Sequence, residues 1–264
     1  MKSLRRYSVF AILILPVIIA LCGGTAFADD LEAEGQKQLD FANGLFHRAF
    51  FEEAVEEYER YLNRFPNGTQ RIIAWRRLGE AAYAAGKHAQ ALKAFEQLPQ
   101  SGLDAAGQRE VNLSKGEVLY FLKRYPDAVT VLKGLTGPEI PKELRSRALY
   151  YKGKAHFDQG EIAPALTELK RLKTELPETV FAPFAQYQLG FVFLSQEDYE
   201  NAAIAFSEVA QSKADQELRM ESRYRAAEIY DKIGWFSAAV GAYERLRKDF
   251  PGTDYAKRAD YGYA

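Results

Sequence analysis

Apolar, small and polar positions recur along most of the chain with a period of 37 residues. Ala54, Ala91, Ala128, Ala165, Ala202 and Ala239 mark the phase. Four residues after each comes a large apolar or aromatic side chain: Tyr58, Phe95, Leu132, Leu169, Phe206 and Tyr243. Twelve residues before each comes a small one: Ala42, Gly79, Gly116, Gly153, Gly190 and Ala227. Nine before it comes a mostly bulky set: Leu45, Ala82, Leu119, His156, Phe193 and Tyr230. A period of this length identifies a stacked repeat architecture and takes precedence over any local reading.

Each unit predicts two helices. In the second, Ile73, Trp75, Leu78, Ala82 and Tyr83 fall at helical spacing, Gly86 and Lys87 mark a turn, and Ala91, Leu92, Phe95 and Leu98 form a second stripe. Gly79 and Ala91 are placed where the two helices cross closely, and Phe95 is expected to fill the space between neighbouring units. No stretch alternates with the period of two that strands need, and good helix formers dominate. The expected fold is all-α: a right-handed solenoid of six helix-turn-helix units and a partial seventh first helix from Asp254 to Ala264.

The pattern resembles the tetratricopeptide repeat, whose recurrent form is Trp-x2-Leu-Gly-x2-Tyr, then Ala-x3-Phe, then Pro. Trp75, Leu78, Gly79, Ala91 and Phe95 match it in register, and Ala82 stands in the Tyr slot. Pro66, Pro177 and Pro251 supply the closing proline in three units. The resemblance covers about residues 31–264. The longer unit and the turn from Arg64 to Gly68 look like bacterial envelope relatives, among them the outer-membrane assembly lipoprotein BamD and the cell-division coordinator CpoB.

The first 28 residues read differently. Lys2, Arg5 and Arg6 precede the apolar run Val9–Leu21, and Ala26-Phe27-Ala28 is a small-x-small cleavage site, so residues 1–28 are expected to be a secretory signal peptide and 29–264 the repeat domain. Two alternatives stay open: an uncleaved N-terminal anchor, and lipidation at Cys22. Cleavage after Ala28 would leave no cysteine, which suits an oxidising compartment, and a periplasmic location follows. The near balance of 35 basic and 36 acidic side chains argues against a general nucleic-acid binder. Charge is nonetheless uneven: residues 29–66 carry ten acidic and four basic groups, with Glu52, Glu53, Glu56, Glu57 and Glu59 on one short helix, read as a solvated face.

Catalytic chemistry is not apparent. The sequence carries no Gly-x-Ser-x-Gly elbow, no phosphate-binding loop, no Gly-x-Gly-x-x-Gly and no His-Glu-x-x-His. His47, His88 and His156 fall at different phases, and His156 is expected to be a satisfied inter-helix side chain. No catalytic, cofactor or metal residues are predicted.

The resemblance implies that the first helices line a concave groove. Carried over position by position, one row is Leu39, Arg76, Leu113, Tyr150, Tyr187 and Tyr224. The next is Asn43, Glu80, Glu117, Lys154, Phe191 and Glu228. A third is Phe46, Tyr83, Tyr120, Phe157, Leu194 and Asp231. The third row also reads as packing between successive first helices. Tyrosines suit a peptide-binding face, with large apolar area, a polar tip and little rotamer entropy to lose, and Glu80 and Glu117 would favour a basic or amide-rich ligand. The expected function is a non-enzymatic scaffold that binds segments of envelope proteins, in outer-membrane assembly, envelope constriction or export. Two other readings stay open: a module of a larger envelope enzyme or export component continuing past residue 264, and a protein that associates with itself through the C-terminal stub.

Overall fold

A computed structural model describes residues 30–99 and 102–261. The expected signal segment with Cys22 and Ala28, and the end of the stub with Tyr263 and Ala264, lie outside them. The described residues are helical with short connections, and no strand occurs among them. Two compact units divide at Asp104. The first holds α1 (residues 30–47), α2 (Phe51–Arg64), α3 (Arg71–Ala84) and α4 (His88–Glu96). The second holds α5 (Ala105–Phe121), α6 (Tyr125–Lys133), α7 (Lys142–Asp158), α8 (Ile162–Glu175), α9 (Phe181–Ser195), α10 (Tyr199–Gln211), α11 (Gln216–Lys232), α12 (Phe236–Asp249) and α13 (Asp254–Tyr261).

One turn geometry recurs at the period read from the sequence. Ala49, Gly86, Lys123, Gly160, Glu197 and Gly234, 37 residues apart, all have left-handed backbone with φ between 59° and 81°. Each ends the first helix of a hairpin in the same way. The left-handed residue donates its N–H three residues back and its successor five back, as Gly86 does to Tyr83 at 3.0 Å and Lys87 to Ala82 at 2.8 Å. This satisfies carbonyls that a helix end would otherwise leave orphaned. A Cβ at Gly160 would meet nothing within 4 Å, so only backbone strain opposes a side chain there. Gly160→Ala should therefore cost about 1 kcal/mol, read as a lowered urea midpoint.

Within each hairpin the small residue of the first helix faces the large residue of the second. A Cβ on Gly79 would come within 2.4 Å of the Phe95 ring, and one on Gly190 within 2.5 Å of Phe206. Gly116 with Leu132 and Gly153 with Leu169 repeat the arrangement. This corrects the expected role of Phe95: it packs into its own hairpin, against Gly79, rather than filling the space between units. The second helix ends differently where the closing proline follows. Phe65, Leu176 and Phe250 leave helical geometry with φ of −121°, −136° and −135°, as proline demands of the residue before it. Each is buried, and each still donates its N–H to the carbonyl four residues back.

Tyr58 is fully buried and donates its phenol to Asn43 Oδ1 at 2.7 Å. Burial pushes its pKa, and that of Tyr243, up to about 12 from the ordinary 10. A phenol whose pKa is raised by folding stabilises the fold fully below the unfolded value, and this contribution is lost as pH rises through the folded value. The denaturation midpoint should thus fall between pH 10 and pH 12, and Tyr58→Phe with Tyr243→Phe should flatten part of that fall. An unchanged slope in the variant would contradict the assignment.

Candidate partner-binding face

In the first unit, α3 carries three of the expected groove residues. Arg76 Nε lies 3.2 Å from Glu80 Oε1, and Arg77 donates to Glu80 Oε2 at 2.8 Å. Glu80 is therefore already neutralised within the fold. Tyr83 is half-buried, its ring 6.0 Å from that of His88.

The second unit carries the rest on α5, α7, α9 and α11, the first helices of its hairpins. Glu117 is fully buried and accepts from Arg147 Nη2 at 2.6 Å. It lines no open surface, so its charge is not available to select a basic ligand as the sequence suggested. Tyr120 donates to Asp158 Oδ2 of α7 at 2.7 Å, and its ring lies 5.6 Å from Tyr151. Phe157 packs against the buried cluster around Leu149, Leu169 and Leu189. These two residues of the third row thus serve packing, Tyr120 between successive first helices. His156 Nδ1 meets Glu161 Oε2 at 2.6 Å.

Lys154 reaches into this aromatic ground, its Nζ 5.5 Å from the Tyr120 ring centre and 5.7 Å from that of Tyr150. Such distances allow cation–π attraction. Burial lowers the lysine pKa, with Asp158 acting in the opposite sense, and burial raises the Tyr150 phenol. Tyr150 also meets Tyr151 and Phe181, each at 5.3 Å, and Phe184 at 6.2 Å. Tyr187 lies 5.0 Å from Phe191 edge to face, and its phenol accepts from Arg225 Nε at 3.1 Å. Arg225 in turn sits 4.9 Å over the Phe191 ring and pairs with Glu221 at 2.7 Å.

Tyr224 is placed differently from the other two tyrosines. It borders a cavity of about 370 Å³ whose other walls are Glu221, Arg225, Glu228, Tyr255 and Arg258. The Tyr224 and Tyr255 rings are 5.8 Å apart, and Arg258 lies 5.8 Å over Tyr255. Two carboxylates, two guanidiniums and two phenols around one hollow can grip an extended chain by stacking and by hydrogen bonds of either sense. Of this set the sequence reading named Tyr224 and Glu228. It missed the other four: Arg225 and Tyr255, and also Glu221 and Arg258, which belong to a fourth row three residues before the first: Glu110, Arg147, Phe184, Glu221 and Arg258, again 37 apart. Among the described residues no group of histidine, cysteine and acidic side chains could hold a metal ion, and no helix is long and apolar enough to cross a membrane.

Tetratricopeptide repeat profiles match residues 39–107, 78–142, 147–179 and 221–253, together more than half of the chain. The chain is a tetratricopeptide repeat protein. Comparison with curated protein sequences gives no match. Solved structures with similar folds include that of PilW, described as a widely conserved type IV pilus biogenesis factor. It is 20% identical with a TM-score of 0.63, covering 85% of this repeat protein and 97% of PilW. PilF of Pseudomonas aeruginosa is 15% identical with a TM-score of 0.54, covering 88% and 99%. MamA of Desulfovibrio magneticus RS-1 is 19% identical with a TM-score of 0.56, covering 66% and 92%. At these identities the likeness is one of fold.

Proposed function

We propose that this protein is a non-enzymatic scaffold of the bacterial periplasm that binds segments of envelope proteins on the face of its first helices and helps assemble envelope machinery. The observation that carries the reading is the hollow at Tyr224 and Tyr255. It is large enough for a side chain or a short stretch of extended peptide, and its walls are amphipathic groups rather than a nucleophile and base. The first-helix scaffold is held by the hairpin cores, so a partner segment bears most of the ordering cost on binding. The signal-like N-terminal residues and the fold shared with a pilus biogenesis factor support the compartment and the class of task.

The test is an affinity capture from envelope extract of the native host. Wild type should enrich a small set of envelope proteins. Tyr224→Ala with Tyr255→Ala should lose them while helical circular dichroism stays close to wild type, and Arg258→Glu, at an exposed side chain of the same hollow, should weaken capture with the denaturation midpoint unchanged. Equal capture by the double variant would overturn the assignment of the face, and turnover of a substrate by the purified protein would overturn the scaffold reading.

A further inference from the structure

Building on the scaffold reading, we propose a second contact on the same protein: a notch that takes an apolar side chain flanked by basic residues in the partner segment. The notch has a volume of about 310 Å³ and lies where the start of α7 meets the loop before α9. Leu113, Leu144, Val180 and Phe181 form its apolar walls. Val180 is 77% exposed, the most exposed of the large apolar side chains among the described residues. A valine and a phenylalanine held at such a mouth favour an apolar guest.

Charge decides what flanks that guest. Glu143 and Glu178 stand at the rim, both exposed. Neither carboxylate takes part in an ion pair or side-chain hydrogen bond among the described residues. The other charged wall, Arg147, is committed to Glu117, and nearby Arg145 is paired with Glu175. Lys142, beside Glu143 in sequence, is exposed and is not part of the wall. The rim is therefore acidic, unlike the balanced hollow at Tyr224. A lysine or arginine on each side of the inserted residue would meet Glu143 and Glu178 without displacing any pair inside the fold.

The experiment uses the full chain with labelled leucine and valine methyl groups, titrated by nuclear magnetic resonance. The probes are short peptides with a Lys-Leu-Lys, Glu-Leu-Glu or Lys-Ser-Lys centre in a Gly-Ser frame. Lys-Leu-Lys should shift the Leu113, Leu144 and Val180 methyls saturably, and the other two should bind at least about tenfold more weakly, a difference of about 1.4 kcal/mol. Glu143→Gln with Glu178→Gln should weaken the Lys-Leu-Lys peptide about fivefold or more and leave the Tyr224 side unchanged. Three results would overturn the notch: unmoved methyls, equal response to Glu-Leu-Glu, or methyl shifts that follow protein concentration without peptide, which would assign the surface to a second copy of the chain. Failure of the notch is distinct from failure of the scaffold reading. A captured envelope protein lost with the Tyr224 and Tyr255 changes but kept with Val180→Asp would refute the notch alone.

Discussion

Gly190→Leu is expected to destabilise the second unit by the upper part of the roughly 1–3 kcal/mol range for overpacking, or more. A single Cβ at residue 190 already falls 2.5 Å from Phe206, whose ring is fully buried and also touches Tyr187 and Phe191 at 5.4 and 5.3 Å. The ring has no direction in which to retreat. Phe206→Ala alone should cost about 3–5 kcal/mol through the cavity it leaves. The informative result is the combination. In Gly190→Leu with Phe206→Ala the new side chain occupies the vacated space, so the double change should be less damaging than the two costs added together, by about 1 kcal/mol or more. Urea denaturation of the four proteins measures this. Strict additivity would mean that the two residues do not share one space and that the small-to-large register does not close the hairpin.

The second large effect comes from a charged pair in an apolar slot. Lys152 donates to Glu168 at 2.7 Å, with only about a tenth of either side chain exposed. The same two positions hold Leu78 with Ala94 and Leu189 with Ala205 in other hairpins, all buried. Lys152→Ala strips Glu168 of its main partner, leaving Arg171 at 3.5 Å, and should cost about 3–5 kcal/mol. Lys152→Leu with Glu168→Ala restores the pattern of the other hairpins and should be neutral or stabilising, because it removes the desolvation of two charges together. A double variant as unstable as Lys152→Ala would show that the pair contributes net stability rather than repeat individuality.

The hairpin core was readable before the structure. The small residue at Gly79 and its counterparts, the large one sixteen later and the turn near Gly86 all keep one phase, because stacking forces each unit to solve the same packing problem. Ala49, Lys123 and Glu197 hide that turn from composition: they adopt left-handed backbone without glycine, held by the same two backbone bonds as their glycine counterparts. The direction of Phe95 was misread because spacing gives a face, not the neighbour that fills it. The face expected to bind was legible only in part. A row names which residues share a helix side, but Glu80 and Glu117 were consumed by Arg76, Arg77 and Arg147. Those arginines were identifiable, yet their reach across a turn or to the neighbouring helix is a matter of geometry. Tyr150, Tyr187 and Tyr224 are equivalent in sequence and differ in surroundings, since Lys154, Arg225 and the cavity wall come from neighbours that vary from unit to unit.

The most direct measurement is photocrosslinking in intact cells of the native host, with a photoreactive side chain placed at Tyr224 on the proposed binding face or at the exposed Ile204 on α10. The account predicts a discrete crosslinked envelope protein from residue 224, abolished by Arg258→Glu on the opposite cavity wall, and no such product from residue 204. Crosslinks from residue 204 alone, or the same product from both positions, would contradict it.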